Sequence, residues 1–65
     1  MNLFLNGQRE EVQAETVTDL INELGLVPET VLIEHNGTAL LRSEWEHTPL
    51  AGDDRLEVLR VAAGG

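Results

Sequence analysis

The sequence predicts a small α+β domain, with strands in the order strand, strand, helix, strand, strand, strand. Three observations carry that expectation. Asn6-Gly7 and Asn36-Gly37 each follow a short apolar-rich run, and this dipeptide accepts the positive φ angles of the tight turn that closes a hairpin. Between the two hairpin signals, Val17, Leu20, Ile21 and Leu24 fall at i, i+3, i+4 and i+7, the spacing of one apolar stripe on a helix. Downstream of both, Leu56, Val58 and their neighbours through Val61 read as a last strand. All the apolar stripes can meet in one layer, with the helix crossing between the hairpins.

Each element follows from its residues. From Met1 to Asn6 the chain alternates, with Met1, Leu3 and Leu5 on one side and Asn2, Phe4 and Asn6 on the other. Gln8 to Gln13 should return antiparallel with Val12 inward. Thr16 and Asp19 have the spacing of a capping box, so the helix is expected to begin there and to stop at Gly25. Proline at position 28 disfavours helix at Val27. Val31 to His35 then forms a third strand, Thr38 to Leu41 a fourth, Ser43 to His47 an irregular or single-turn segment, and Pro49 to Asp54 a loop. The chain thus divides into a folded part, residues 1–61, and Ala62-Ala63-Gly64-Gly65, a tail without charge, branch or large side chain that is expected to be flexible.

Composition narrows the function. A chain of 65 residues has room for one core and little else, so a self-contained enzyme with a lined pocket is not expected. Twelve acidic residues stand against four basic ones, Arg9, Arg42, Arg55 and Arg60, for a formal charge of −8. Binding to nucleic acid or to an anionic membrane has almost no electrostatic source. Without cysteine there is no disulfide and no thiolate chemistry. The N-terminus has neither the basic start nor the apolar run of a signal peptide, and a cytoplasmic protein is expected.

Arg42-Ser43-Glu44-Trp45 after the second hairpin, Gly52-Asp53 before the last strand and the final Gly64-Gly65 occur together, in that order. In these motifs, and over its full length, the chain resembles the ThiS family, the ubiquitin-like sulfur carriers of thiamine biosynthesis. It departs from the pattern at Leu41, where the family often has proline, and at Ala62-Ala63, where bulkier residues are common. The resemblance implies a β-grasp fold, a mixed sheet of four to five strands packed on one helix. It also implies that Gly65 is adenylated by a partner enzyme and converted to a thiocarboxylate, whose sulfur passes to thiazole synthase.

Elementary chemistry fits that reading. A carboxylate is a poor electrophile until activated, and transfer of AMP from ATP would make it a mixed anhydride open to a sulfur nucleophile. The chain holds no phosphate-cradling loop and no lysine, so it is expected to bind no cofactor and to leave ATP to the partner. It is a protein cosubstrate in this reading. Ala62, Ala63 and Gly64 would thread a narrow channel and bring Gly65 to the remote site.

If Leu3, Leu5, Ile33, Leu56 and Val58 face the core, alternation places Phe4, Leu32 and Leu59 on the opposite face of the sheet. The strand order implied by the resemblance would set these three side by side as a partner-binding patch. Other residues read as structural. His35 and His47 lack the spacing and companions of a metal site, and none is expected. Ser43 and His47 lack an orienting carboxylate and a cleft. Asp53-Asp54 reads as a turn, Trp45 as a core or lid residue, and Arg42 as the tie for its loop. Two alternatives stand beside thiamine biosynthesis: a carrier for another pathway, such as molybdopterin, tRNA thiolation or amino-acid biosynthesis, and a ubiquitin-like interaction module that makes no use of its tail.

Overall fold

The structure, a computed structural model, describes residues 1–61. Strand β1 (Asn2–Leu5) turns at Asn6-Gly7 into β2 (Gln8–Glu11), and helix α1 (Val17–Glu23) follows. A 3₁₀ turn at Pro28–Thr30 leads into β3 (Val31–His35), Asn36-Gly37 into β4 (Thr38–Leu40), and a 3₁₀ segment at Arg42–His47 precedes β5 (Arg55–Arg60). The five strands form one sheet in the order β2-β1-β5-β3-β4. Strand β5 runs parallel to β1 and antiparallel to β3, so the last strand to emerge fills the centre of a mixed, β-grasp sheet.

Both hairpins close as the sequence predicts. Asn6 and Gly7 have φ of 50° and 83°, Asn36 and Gly37 of 50° and 86°, the paired positive values of a type I′ turn. The asparagines also do something the dipeptide does not announce. Asn6 Oδ1 accepts from the Val58 amide at 2.7 Å, and Asn36 Oδ1 accepts from the Arg55 amide at 2.8 Å. Each turn therefore latches β5 from one side.

The helix opens on the expected capping box, with Thr16 Oγ1 accepting from the Asp19 amide and Asp19 Oδ2 accepting from the Thr16 amide. It ends one residue earlier than the stripe suggests. Leu24 is the C-cap residue and is 36% exposed, because the chain leaves the helix there into Gly25 at φ 71°. Val17, Leu20 and Ile21 are buried against Leu3, Ile33 and Leu56. Trp45 and Leu50 close that layer from the side. The loop carrying them is bonded across the helix start, from the Val17 amide to the Thr48 carbonyl and from the Leu50 amide to the Glu15 carbonyl. At the other end, Glu23 accepts from the amides of Gln13 and Ala14 at 2.8 to 3.2 Å and pins the β2–α1 connection to the helix.

Leu5 and Val58, expected in the core, are half-buried and pack at its margin. The edges of the sheet resist further pairing: β2 is wholly exposed and reads Gln-Arg-Glu-Glu, and β4 has three residues. Among the described residues no helix is long and apolar enough to cross a membrane.

Candidate functional site

Residues Ala62, Ala63, Gly64 and Gly65, expected to carry the reacting carboxylate and its approach, lie outside the described residues. The structure does describe the strand that leads to them. The β3–β5 ladder runs one residue past β5, where the Val61 amide donates to the Thr30 carbonyl at 2.8 Å. Residue 61 is thus held in the sheet, at the end of its central strand.

The face of the sheet away from the helix holds the three patch residues, but not side by side. Strand β1 is in register with only the start of β5, pairing Phe4 with Arg55 and Leu5 with Leu56. Strand β3 is in register with β5 from Leu56 to Arg60, which sets Leu32 directly opposite Leu59. Phe4 therefore stands four residues along β5 from Leu59, about 13 Å away. The expectation of a single three-residue cluster is corrected by register: adjacency of strands does not place residues at the same height.

The two parts differ in chemistry. Leu32 and Leu59 are 56% and 52% exposed and form a cross-strand apolar pair. Phe4 is half-buried beneath two guanidinium groups, with Arg9 5.0 Å and Arg55 5.5 Å from its ring centroid. Arg9 also pairs loosely with Asp53 at 3.6 Å, an exposed contact worth little. Arg55 has no carboxylate partner among the described residues. Between the two parts lie Glu34 and Glu57, directly opposite each other and both exposed. Like charges so placed repel, and no described cation lies within ion-pair distance of either.

The remaining candidates take structural places. His35 Nε2 lies 2.8 Å from Asp54 Oδ2. Asp54 also accepts from the Ala51 amide and from Asn36 Nδ2. Burial works against the Asp54 charge, yet these hydrogen bonds outweigh it and hold the carboxyl below its usual range. The group ties the second hairpin to the loop before β5. Asp53 has φ 66°, as a turn residue would. Trp45 is buried, its indole N–H without a partner among the described residues, and Arg42 lies 5.8 Å from its ring while pairing with Glu29 at 3.3 Å. Arg42 thus ties the loop, as expected. Ser43 and His47 are exposed on a 3₁₀ segment. No three His, Asp or Glu residues among those described gather as metal ligands.

Sequence reasoning missed the stacking of Phe4, and half of it was readable. A two-residue turn at Asn6-Gly7 pairs Leu5 with Gln8 and hence Phe4 with Arg9. Arg55 could not be found so, because its pairing with Phe4 joins distant parts of the chain.

Comparison with known proteins agrees with this fold. The ThiS family model matches residues 3–65. A crystal structure of the thiamine biosynthesis protein ThiS from Geobacter metallireducens superposes with a TM-score of 0.83 at 36% identity, covering 100% of both chains. A solution structure of a thiamine biosynthesis protein from that organism gives 0.81 at 36% identity, over 100% of this chain and 88% of the other. A thiazole synthase of Magnetococcus marinus is 33% identical over 66 residues; this chain is covered completely but spans 20% of that protein's length.

Proposed function

The chain belongs to the ThiS family, and from that premise we propose that it is a sulfur carrier of thiamine biosynthesis whose reacting group is the carboxylate of Gly65. The observation that carries this reading is the extent of the family match, which runs through Gly64-Gly65. The carboxylate oxygen attacks the α-phosphate of ATP in a partner's site, releasing pyrophosphate and leaving an acyl-adenylate. A sulfur nucleophile at the oxidation level of hydrosulfide then attacks the carbonyl carbon, expels AMP and leaves a thiocarboxylate. The carrier contributes the acyl group and the docking surface, and the adenylating enzyme contributes ATP and the catalytic groups. The carrier is in this sense a cosubstrate.

Thiazole synthase is the acceptor in this proposal. Support comes from the protein of that name in Magnetococcus marinus, which contains a segment similar to this whole chain. The sheet face carries the docking, with Leu32 and Leu59 as its apolar part and Phe4 as a separate anchor. Ala62, Ala63 and Gly64 offer no bulk to a threading channel, and the ordered root at Val61 sets where the thread begins.

The test is intact-mass analysis of the protein from its native cell. The expected species ends at Gly65, with a fraction heavier by the difference between sulfur and oxygen. ATP–pyrophosphate exchange with the cognate adenylating enzyme is expected for the wild type and lost on deletion of Gly65, with thermal unfolding unchanged. Exchange by the deletion variant at the wild-type rate would show that this carboxylate is not the reacting group and would favour the interaction module.

A further inference from the structure

We propose, resting on the docking role given to the sheet face, that the partner reads this face as three parallel rows and that their order fixes the direction in which the tail enters it. The rows follow from register. Arg9, Phe4 and Arg55 are neighbours across β2, β1 and β5, making a cationic and aromatic row. Glu57 and Glu34 make an acidic row across β5 and β3, and Leu59 and Leu32 an apolar row. Successive rows are two residues apart along β5, about 6.6–6.8 Å. The apolar row is the one nearest Val61.

The partner that fits is a protein surface of complementary order: a carboxylate facing Arg55, an arginine or lysine seated between Glu34 and Glu57, and an apolar hollow for Leu32 and Leu59. None of the four arginines pairs with Glu34 or Glu57 in this structure. Arg9 and Arg55 lie over Phe4, Arg42 lies by Trp45 and Glu29, and Arg60 lines a groove with Leu5, Leu24 and Val58. The two exposed glutamates stand directly opposite each other, and an arginine or lysine from a partner would neutralise both. Turning the partner by half a revolution about the face normal would leave its cation in the middle but set its carboxylate against the leucines and its hollow against the arginines. Such mismatches select one orientation, and only that one points the tail root consistently into the partner.

The experiment measures the dissociation constant of the full chain for the cognate adenylating enzyme by calorimetric titration, with thermal unfolding of each variant alongside. Glu57→Gln and Glu34→Gln are each expected to weaken binding about ten-fold while leaving the melting temperature equal or higher, and Arg55→Gln to weaken it by a similar factor. Glu10→Gln makes the same change in net charge at an exposed edge-strand position and is expected to change affinity less than about two-fold. Equal effects from Glu57→Gln and Glu10→Gln would overturn the ordered rows. Leu59→Ser separates the two levels of inference. If it weakens binding while the charge variants do not, the face still docks and the row order fails; if it too is silent, or the wild type does not bind, the docking reading itself fails.

Discussion

Replacing Asn6 by glycine isolates the latch on β5 from the turn that carries it. Glycine keeps the φ of 50° at no steric cost, so the hairpin geometry survives. What is lost is the side-chain bond to the Val58 amide at 2.7 Å and the longer contact from Asn6 Nδ2 to the Val58 carbonyl at 3.3 Å. A good neutral hydrogen bond contributes about 0.5–1.5 kcal/mol net, and the longer one adds little. The freer unfolded chain at glycine costs a further 0.4–1 kcal/mol or so. Together these give about 2 kcal/mol, which in a domain this size lowers the melting temperature by roughly 8–16 °C. Asn6→Asp keeps an acceptor for the Val58 amide and is expected to lose about half as much. Chemical denaturation gives the free energies, and amide exchange at Val58 reports the latch directly: its protection should fall in Asn6→Gly more than that of Leu20 in the helix. Equal stability of Asn6→Gly and wild type, or unchanged exchange at Val58, would refute the latch.

Three further outcomes are expected. The Asp54 carboxyl is held below its usual range in the fold, so the stability it contributes is present above its ordinary pKa near 3.8 and is lost as pH falls through the depressed folded value; Asp54→Asn should flatten that acid limb in denaturation curves recorded from pH 6 to pH 2 or so. Glu23→Ala removes a carboxylate that holds the amides of Gln13 and Ala14, and a charged hydrogen-bond acceptor of that kind contributes about 1.5–3 kcal/mol, measurable by urea titration. Gly64→Val should leave thermal unfolding unchanged and abolish ATP–pyrophosphate exchange, because a β-branched residue stiffens and thickens the segment meant to thread a channel.

What could be read from the sequence was set by short-range rules. Asn-Gly fixes a turn through four residues, Thr16 and Asp19 fix a helix start through one turn, and the 3.6-residue stripe finds Val17, Leu20 and Ile21. Leu24 fits the stripe and still escapes burial, since periodicity does not know where the helix stops. The site was partly legible for the same reason. Alternation correctly sends Leu32 and Leu59 to the outer face, but the height of Phe4 depends on where a parallel strand joins β5, and no local signal encodes that offset. The rule that proline disfavours helix at Val27 does not reveal the 3₁₀ turn at Pro28–Thr30, although the fixed φ of proline suits the first position of a short helical turn.

The central place of β5 links stability to the proposed chemistry. A carrier needs its reacting end free of the fold, yet a tail leaving from a frayed edge would be presented in many directions. Here the strand before the tail is held at its start by β1 and along its length by β3, by an asparagine from each hairpin, and at Val61 by Thr30. From that root four residues reach at most about 13–14 Å, so the fold fixes the start of the path and the partner must supply the remainder. Loosening the latch at Asn6 should therefore impair adenylation, even at temperatures where the domain stays folded, by blurring the direction from which Gly65 approaches the nucleotide.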